Sequence, residues 1–278
     1  MTKRKPYRSD LSDAEWSLIE PELAAWRAPR LERKVSSNQP LHDLREIVNA
    51  ILYVNRTGCA WEYLPHDFPP FKTVYGYFAA WRDDGTTERI HDVLRRRMRR
   101  ARGRTEEPSA VAIDSQTVKT AANAQAETVG YDGNKKTKGR KRHIAVDTLG
   151  LLIVLGVSAA SLGDSPVGRQ VLDHLAPSVT KAWADGGYNA KVVEHGADLG
   201  IDVEIVRRDP EVAGFKVLPR RRVVERTFGW FMLHRRLTRD YETRQESSRA
   251  MIHWSIIGIM GRALTGNSTP TWQQPRPT

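Results

Sequence analysis

Cysteine is almost absent from this 278-residue chain, where Cys59 stands alone. One thiol excludes an intramolecular disulfide and a cysteine-rich zinc site. Long apolar runs are missing too. The longest, AMIHWSIIGIMG (Ala250 to Gly261), contains His253 and Ser255. It falls short of the ~20 residues that span a bilayer and reads as a buried core helix. No apolar segment follows the basic start MTKRKPYRSD, so a secretory signal is not expected. There is no internal repeat. A soluble, cytoplasmic protein without a membrane partner is the expectation. Acidic residues are the minority, 33 against 44 Lys and Arg, for a net charge of +11. That excess points to a polyanionic partner, nucleic acid before an acidic membrane, because no basic amphipathic helix or lipid signal is evident. Hydrophobic residues make up 40% of the chain, enough for a packed core.

What is present falls into two regions. The first hundred residues read as helices. LSDAEWSLIEPEL carries a capping box, Ser12 with Glu15. The basic stretch RAPRLERKVSSNQP reads as a loop. DLREIVNAILYVNRTG places Leu44, Ile47, Val48, Ile51 and Leu52 on one helical stripe stopped by Gly58. KTVYGYFAAWRDDG predicts a helix capped by Thr73 and ended by Gly85, and TERIHDVLRRRMRRARGR a fourth. Short helices with tight turns suit a helix-turn-helix arrangement or a plain bundle. The character changes near Pro108. AVAID, RHIAVDT, LLIVLGVSA, TKAWAD and IDVEIV read as strands, the second and third forming a hairpin. Helices are expected from Asp164 to Leu175, over NAKVVEHGADLG and from Val223 to Leu237. The order predicts a mixed α/β sheet with a hairpin at one edge. The expected divisions are a helical region over residues 1–105, an α/β domain over 106–265 and a disordered tail over 266–278.

Two apolar strands end in aspartate, Asp114 and Asp185. In open α/β sheets ligands bind outside the carboxyl ends of the strands, so neighbouring strands would bring these carboxylates together. A third acid, Glu225, shares a helical stripe with Phe228 and Met232, beside Arg221 and Arg222. Three converging carboxylates repel unless a cation binds them, and oxygen ligands suit Mg²⁺ or Mn²⁺. Two such ions can drive in-line phosphoryl displacement. Each acid has a local alternative: Asp114 and Asp185 could cap turns, and Glu225 could pair with Arg221. Asp147 and Asp164 also sit at element ends, so spacing alone selects no triad. His66 and His143 read as satisfied polar histidines rather than metal ligands.

Longer blocks narrow the choice. AIDSQTVKT, GYDGNKKTKGRKRHIAVDTLGLL, WADGGYNA and VLPRRRVVERTFGWFMLHRRLTRDYE resemble bacterial insertion-sequence transposases of the DDE class, the IS-five type within the IS-four-like superfamily. LSDAEWSLIEP, GCAWEYLPHDFPPFKTVYGYFAAWRDDG and ERIHDVLRRR are similar to the same group, so the resemblance covers about residues 7 to 264. It implies an RNase H-like catalytic core behind an all-helical DNA-binding region, with Asp114, Asp185 and Glu225 as catalytic metal ligands for two Mg²⁺ ions, Mn²⁺ substituting. The implied chemistry is cleavage of double-stranded DNA at the element's terminal inverted repeats, then attack of the freed 3′-OH on target DNA. A homodimer and association with the nucleoid are implied with it. The chain departs from the pattern at Arg222, where close relatives usually carry Trp, and at Met232, where some carry Lys or Arg; Arg235 or Arg236 could substitute. The alternatives are a nuclease of the same fold that does not join ends, an inactive or domesticated copy that only binds DNA, and a basic RNA-binding protein.

Basic segments supply the candidate nucleic-acid contacts. LRRRMRRARGR offers Arg95, Arg96 and Arg99. GNKKTKGRKRH, expected between the first two strands, offers Lys135, Lys136, Lys138, Arg140, Lys141 and Arg142, with Lys119 nearby. Arg221, Arg222, Arg235 and Arg236 flank Glu225. Phosphate contacts fix position, and sequence reading is assigned to the helix beginning with Lys72, Thr73 and Tyr75.

Overall fold

A computed structural model describes residues 4–32, 42–206 and 219–269, with the side chains of residues 219–221 outside the description. The chain forms two compact units that do not follow chain order. The first comprises Met1–Ala101, Leu233–Leu237 and Ala250–Thr278; the second comprises Arg102–Met232 and Thr238–Arg249.

The first unit is helical. Helix α1 (Asp13–Glu32) starts at the foreseen capping box: Glu15 N–H donates to Ser12 Oγ at 3.2 Å and Ser12 N–H to Glu15 at 3.4 Å. It runs on through Pro29 into the stretch read as a loop, with Arg30 stacked 3.8 Å over the Trp26 ring and paired to Asp84 at 3.0 Å. Helix α2 (Leu44–Thr57) buries the expected stripe and ends at Gly58, whose φ of 76° an L side chain rarely adopts. Helix α3 (Phe71–Asp83) begins two residues before Thr73, after Pro70, so Thr73 lies inside the helix rather than capping it. Helix α4 (Thr86–Ala101) packs on α1 and α3. Residues 250–264 of α8 (Gln245–Leu264) complete this core, where Trp254 lies 5.8 Å from Trp81 and Asn55 Nδ2 donates to Met251 O at 2.6 Å.

The second unit is built on a six-stranded mixed sheet. Its strands are β1 (Ala110–Lys119), β2 (Gly130–Asp132), β3 (Thr137–Asp147), β4 (Leu152–Ala159), β5 (Lys181–Asp185) and β6 (Asp202–Val206). The order is β2-β3-β1-β5-β6, with β4 also on β3. β1, β5 and β6 run parallel, and β3 runs antiparallel to β1 and β4. This is the mixed α/β, RNase H-like arrangement. The sequence pattern does not predict β2, and β3 starts at Thr137, so seven of the eleven residues of GNKKTKGRKRH belong to a central strand. Glycine makes that pairing possible: a methyl on Gly139 would sit 1.9 Å from Val118 O. One face of the sheet carries Val111, Ile113, Ala145, Ala182 and Ala184 into a core with Val171, Leu172 and Val192 of α5 (Asp164–Asp173) and α6 (Ala190–Asp198). Helix α7 (Pro219–Met232) packs on β1, β3 and β5.

Candidate active site

Asp114 and Asp185 stand side by side. The parallel β1–β5 ladder ends with Ile113 opposite Ala184, and the next residue on each strand is the aspartate. Neighbouring strands lie about 4.8 Å apart, so the two carboxylates leave adjacent backbones on one face. β5 then stops, whereas β1 continues, Ser115–Lys119 pairing with His143–Gly139 of β3. Asp114 is thus inside a strand, not at its end as expected, and marks the fork where β5 leaves β1. Ser115 N–H donates to Asp114 Oδ1 at 2.7 Å, and Gly187 N–H to Asp185 Oδ1 at 2.9 Å. The turn-capping role weighed for Asp185 is real and also fixes its carboxylate.

Asp164, at the start of α5, joins them. Ser115 Oγ donates to its Oδ1 at 2.6 Å, and Lys141 Nζ lies 3.1 Å from the same oxygen. A methyl on Gly187 would lie 3.0 Å from Asp185 Oδ1 and 3.6 Å from Asp164 Oδ2, so both carboxylates flank this glycine. Tyr188 is buried, and its hydroxyl is held well above the ordinary phenol range, by burial first and then by the charges of Asp114, Asp164 and Asp185. It stays a neutral phenol. Three carboxylates acting on one phenol concentrate negative charge at this end of the sheet.

Glu225 lies on α7, but not within its buried stripe. That stripe is Val224, Thr227, Phe228 and Phe231, one residue out of step with the expected one, and Glu225 is exposed on its flank. Arg226 Nη2 donating to Leu149 O at 2.7 Å and Thr227 Oγ1 donating to Gly150 O at 2.8 Å pin the helix to the β3–β4 turn. A methyl on Gly229, one turn on, would meet nothing within 4 Å. Among the described residues, no three His, Cys, Asp or Glu side chains stand close enough to hold one metal ion. The Asp114–Asp185 pair is assembled; Glu225 is on the helix beside it.

The predicted basic contacts divide by burial. Lys72, Arg96, Lys119, Lys135, Lys136, Lys138, Arg222 and Arg235 are exposed, and Thr73 is half-buried. Arg95, Arg99, Arg140, Lys141, Arg142 and Arg236 are buried and do not form the expected phosphate-binding surface. The reasons are structural. Arg140 Nη1 donates to Glu242 O at 2.7 Å and faces Asp240 at 3.3 Å, while its Nη2 donates to Thr243 O at 2.7 Å. Lys141 donates to Leu162 O at 3.0 Å, and Arg236 to Cys59 O at 2.9 Å. Burial lowers the Arg142 pKa to about 10. Arg95 sits 3.5 Å from Asp92, one helical turn earlier. Arg221 lies outside the described side chains. His66 is exposed; His143 is buried, with Nε2 2.9 Å from Ser158 Oγ and its pKa lowered to about 4 by burial. Asp147 accepts from Leu149 and Leu151 N–H in the β3–β4 turn.

Residues 105–259, more than half of the chain, match the family described as a transposase DDE domain. The chain belongs to the DDE transposase family. Residues 11–91 match a second transposase family, of the IS4/5 type. No curated protein and no solved structure matches. The matched DDE region of this transposase contains Asp114, Asp185 and Glu225. Transposases act on DNA, and DDE domains generally use divalent metal ions. No helix among the described residues is long and apolar enough to cross a membrane. Sequence reasoning missed Tyr188 and passed over Asp164 and Ser115. For Asp164 the one available signal was an acid at a predicted helix start; for Tyr188 it was adjacency to the DGG turn.

Proposed function

We propose that this transposase cuts DNA at the ends of an insertion sequence and joins the freed 3′-OH to target DNA, with Asp114, Asp185 and Glu225 as its catalytic metal ligands. The observation that carries the reading is the in-register Asp114–Asp185 pair at the fork where β5 leaves β1, inside the matched DDE domain. Mg²⁺ is the expected ion, two per site, with Mn²⁺ as a substitute. When bound, the ions neutralise the scissile phosphate and make water or a 3′-OH a better nucleophile. The protein supplies orientation. Ser115 and Gly187 N–H groups aim the two aspartates. The bonds from Arg226 and Thr227 hold α7 so that Glu225 comes from the exposed flank, and the open space at Gly229 leaves room for the DNA strand. Exposed Lys119, Lys135, Lys136, Lys138, Arg222, Arg235 and Arg96 would hold phosphates, and Lys72 with Thr73 would meet the terminal inverted repeat. Two ends must be brought together, so the working form is a homodimer on DNA.

The test uses purified protein, labelled duplex carrying the element's own end, and Mg²⁺, beside Asp114→Asn and Glu225→Gln. Wild type should cut at the element boundary and yield joined products, while both variants bind and do not cut. Cutting by either variant would remove that residue from the site. Cutting without joined products would make the protein a nuclease of the same fold.

A further inference from the structure

The hairpin formed by β2 and the start of β3 is not needed to build the carboxylate site, yet it is held in fixed register with it. Asp132 is its staple. Its Oδ1 accepts from Asn134 and Lys135 N–H, both at 3.0 Å, and its Oδ2 accepts from Thr117 Oγ1 at 2.5 Å. Lys141 Nζ lies 3.8 Å from Asp132 and 3.1 Å from Asp164, which ties the hairpin base to the carboxylate cluster.

Alternation along the strands places the hairpin's outer residues. Asp114, Gln116 and Val118 share one face of β1, opposite Ile144, Arg142 and Arg140 of β3. Two residues further along β3 the same face carries Lys138, directly across from Tyr131 of β2. Tyr131 is 58% exposed, and its side chain has no hydrogen bond or ring partner among the described residues. Lys135, Lys136 and Lys138 are exposed beside it, with no carboxylate in salt-bridge range among the described residues. Exposing an aromatic ring amid uncompensated positive charge gains the fold nothing. It is the combination that takes a nucleobase on the ring and its phosphates on the lysines. In a duplex both faces of each base are covered by its neighbours, so a lone ring needs an unpaired base.

We infer that Tyr131 stacks on an unpaired nucleobase of the DNA end, held by phosphate contacts from Lys135, Lys136 and Lys138. This rests on Asp114 marking the scissile phosphate only for the distance that follows. Tyr131 lies about six strand residues beyond Asp114, roughly 20 Å at ~3.3 Å per residue. At ~3.4 Å per nucleotide, that is about six nucleotides from the cleavage point.

The experiment uses the full chain in Ca²⁺, without turnover. The probes are end duplexes carrying 2-aminopurine, either unpaired or paired, scanned across positions around the sixth nucleotide. Wild type should bind the unpaired probe more tightly and quench its fluorescence. Tyr131→Ala should lose the quenching and weaken binding to the unpaired probe by about 5- to 150-fold, with little effect on the paired one. Tyr131→Phe and Tyr131→Trp should retain both. Lys138→Ala should keep the quenching while its binding depends less steeply on salt. Quenching that survives in Tyr131→Ala, or equal weakening on paired and unpaired probes, overturns the proposal. Asp114→Asn should keep the quenching. If that variant, assayed separately in Mg²⁺, still cuts while Tyr131 behaves as stated, the site assignment falls and the stacking contact stands.

Discussion

Replacing Arg140 by Met separates two roles that its sequence position confounds. Arg140 lies in the most basic segment of the chain, yet it is 0% exposed and paired with Asp240, itself 2% exposed. It also donates to Glu242 O, Thr243 O and Thr128 Oγ1. Methionine keeps the apolar stem and removes every donor. Asp240 would lose its ion-pair partner and keep only the more distant charge of Arg142, so the loss is at most the ~3–5 kcal/mol of removing one partner of a buried pair. For a chain of this size each kcal/mol moves the melting temperature by about 2–4 °C, so the expected fall is at most roughly 6–20 °C. Thermal unfolding followed by circular dichroism measures it. DNA binding titrated over a series of salt concentrations, below the variant's transition, measures the other role. The dependence of affinity on salt should match wild type, because a buried guanidinium releases no counterions. Asp240→Leu combined with Arg140→Met should recover part of the loss, as an apolar pair replaces an orphaned charge. A variant that melts with wild type but binds DNA with a shallower salt dependence would refute the structural assignment of Arg140.

Further outcomes follow from the same geometry. Lys136→Ala and Lys138→Ala, at exposed positions, should leave the melting temperature unchanged and each reduce the salt slope of duplex binding by about 0.9; an unchanged slope would remove them from the DNA surface. His143 has its pKa lowered to about 4 by burial, so between about pH 6.5 and 4 the unfolded chain binds the proton and the folded chain does not. Stability should therefore fall with decreasing pH by up to about 1.4 kcal/mol per unit in that window, and His143→Gln should flatten the profile in denaturant titrations. Gly139→Ala forces a methyl to within 1.9 Å of Val118 O and should cost roughly 1–3 kcal/mol or more, or leave the protein insoluble; normal stability would show that β1 and β3 can part there.

The sequence made some of this structure legible because its signals were local. The Ser12–Glu15 box, the Gly58 stop and the strand ends at Asp185 and Val206 depend on neighbours a few residues away, and each is found in place. The pairing of Asp114 with Asp185 followed from a rule about parallel strands, once β1 and β5 are adjacent. What escaped depends on partners distant in the chain. Nothing near Arg140 announces Asp240, so a buried ion pair was read as surface charge. The pattern shortens β3 because TKGRK looks polar, although its Arg140 and Lys141 are satisfied by remote carbonyls and acids. Glu225 was assigned to the apolar stripe because helical periodicity cannot tell the centre of a stripe from its flank. Asp164 and Tyr188 meet the aspartate pair only after α5 and α6 fold onto the sheet.

The fork at Asp114 has a consequence for how the gene can be damaged. Side chains on a strand alternate between faces, so removing one codon between Ala110 and Ile113 would leave Asp114 either shifted past Asp185 or turned to the opposite face. Volume-conserving apolar replacements in that segment would keep the register, whereas an in-frame deletion of one triplet would remove the proposed Asp114–Asp185 pair as surely as changing Asp114 itself. In a library of single-codon deletions, residues 110–113 should therefore be as intolerant as Asp114 itself.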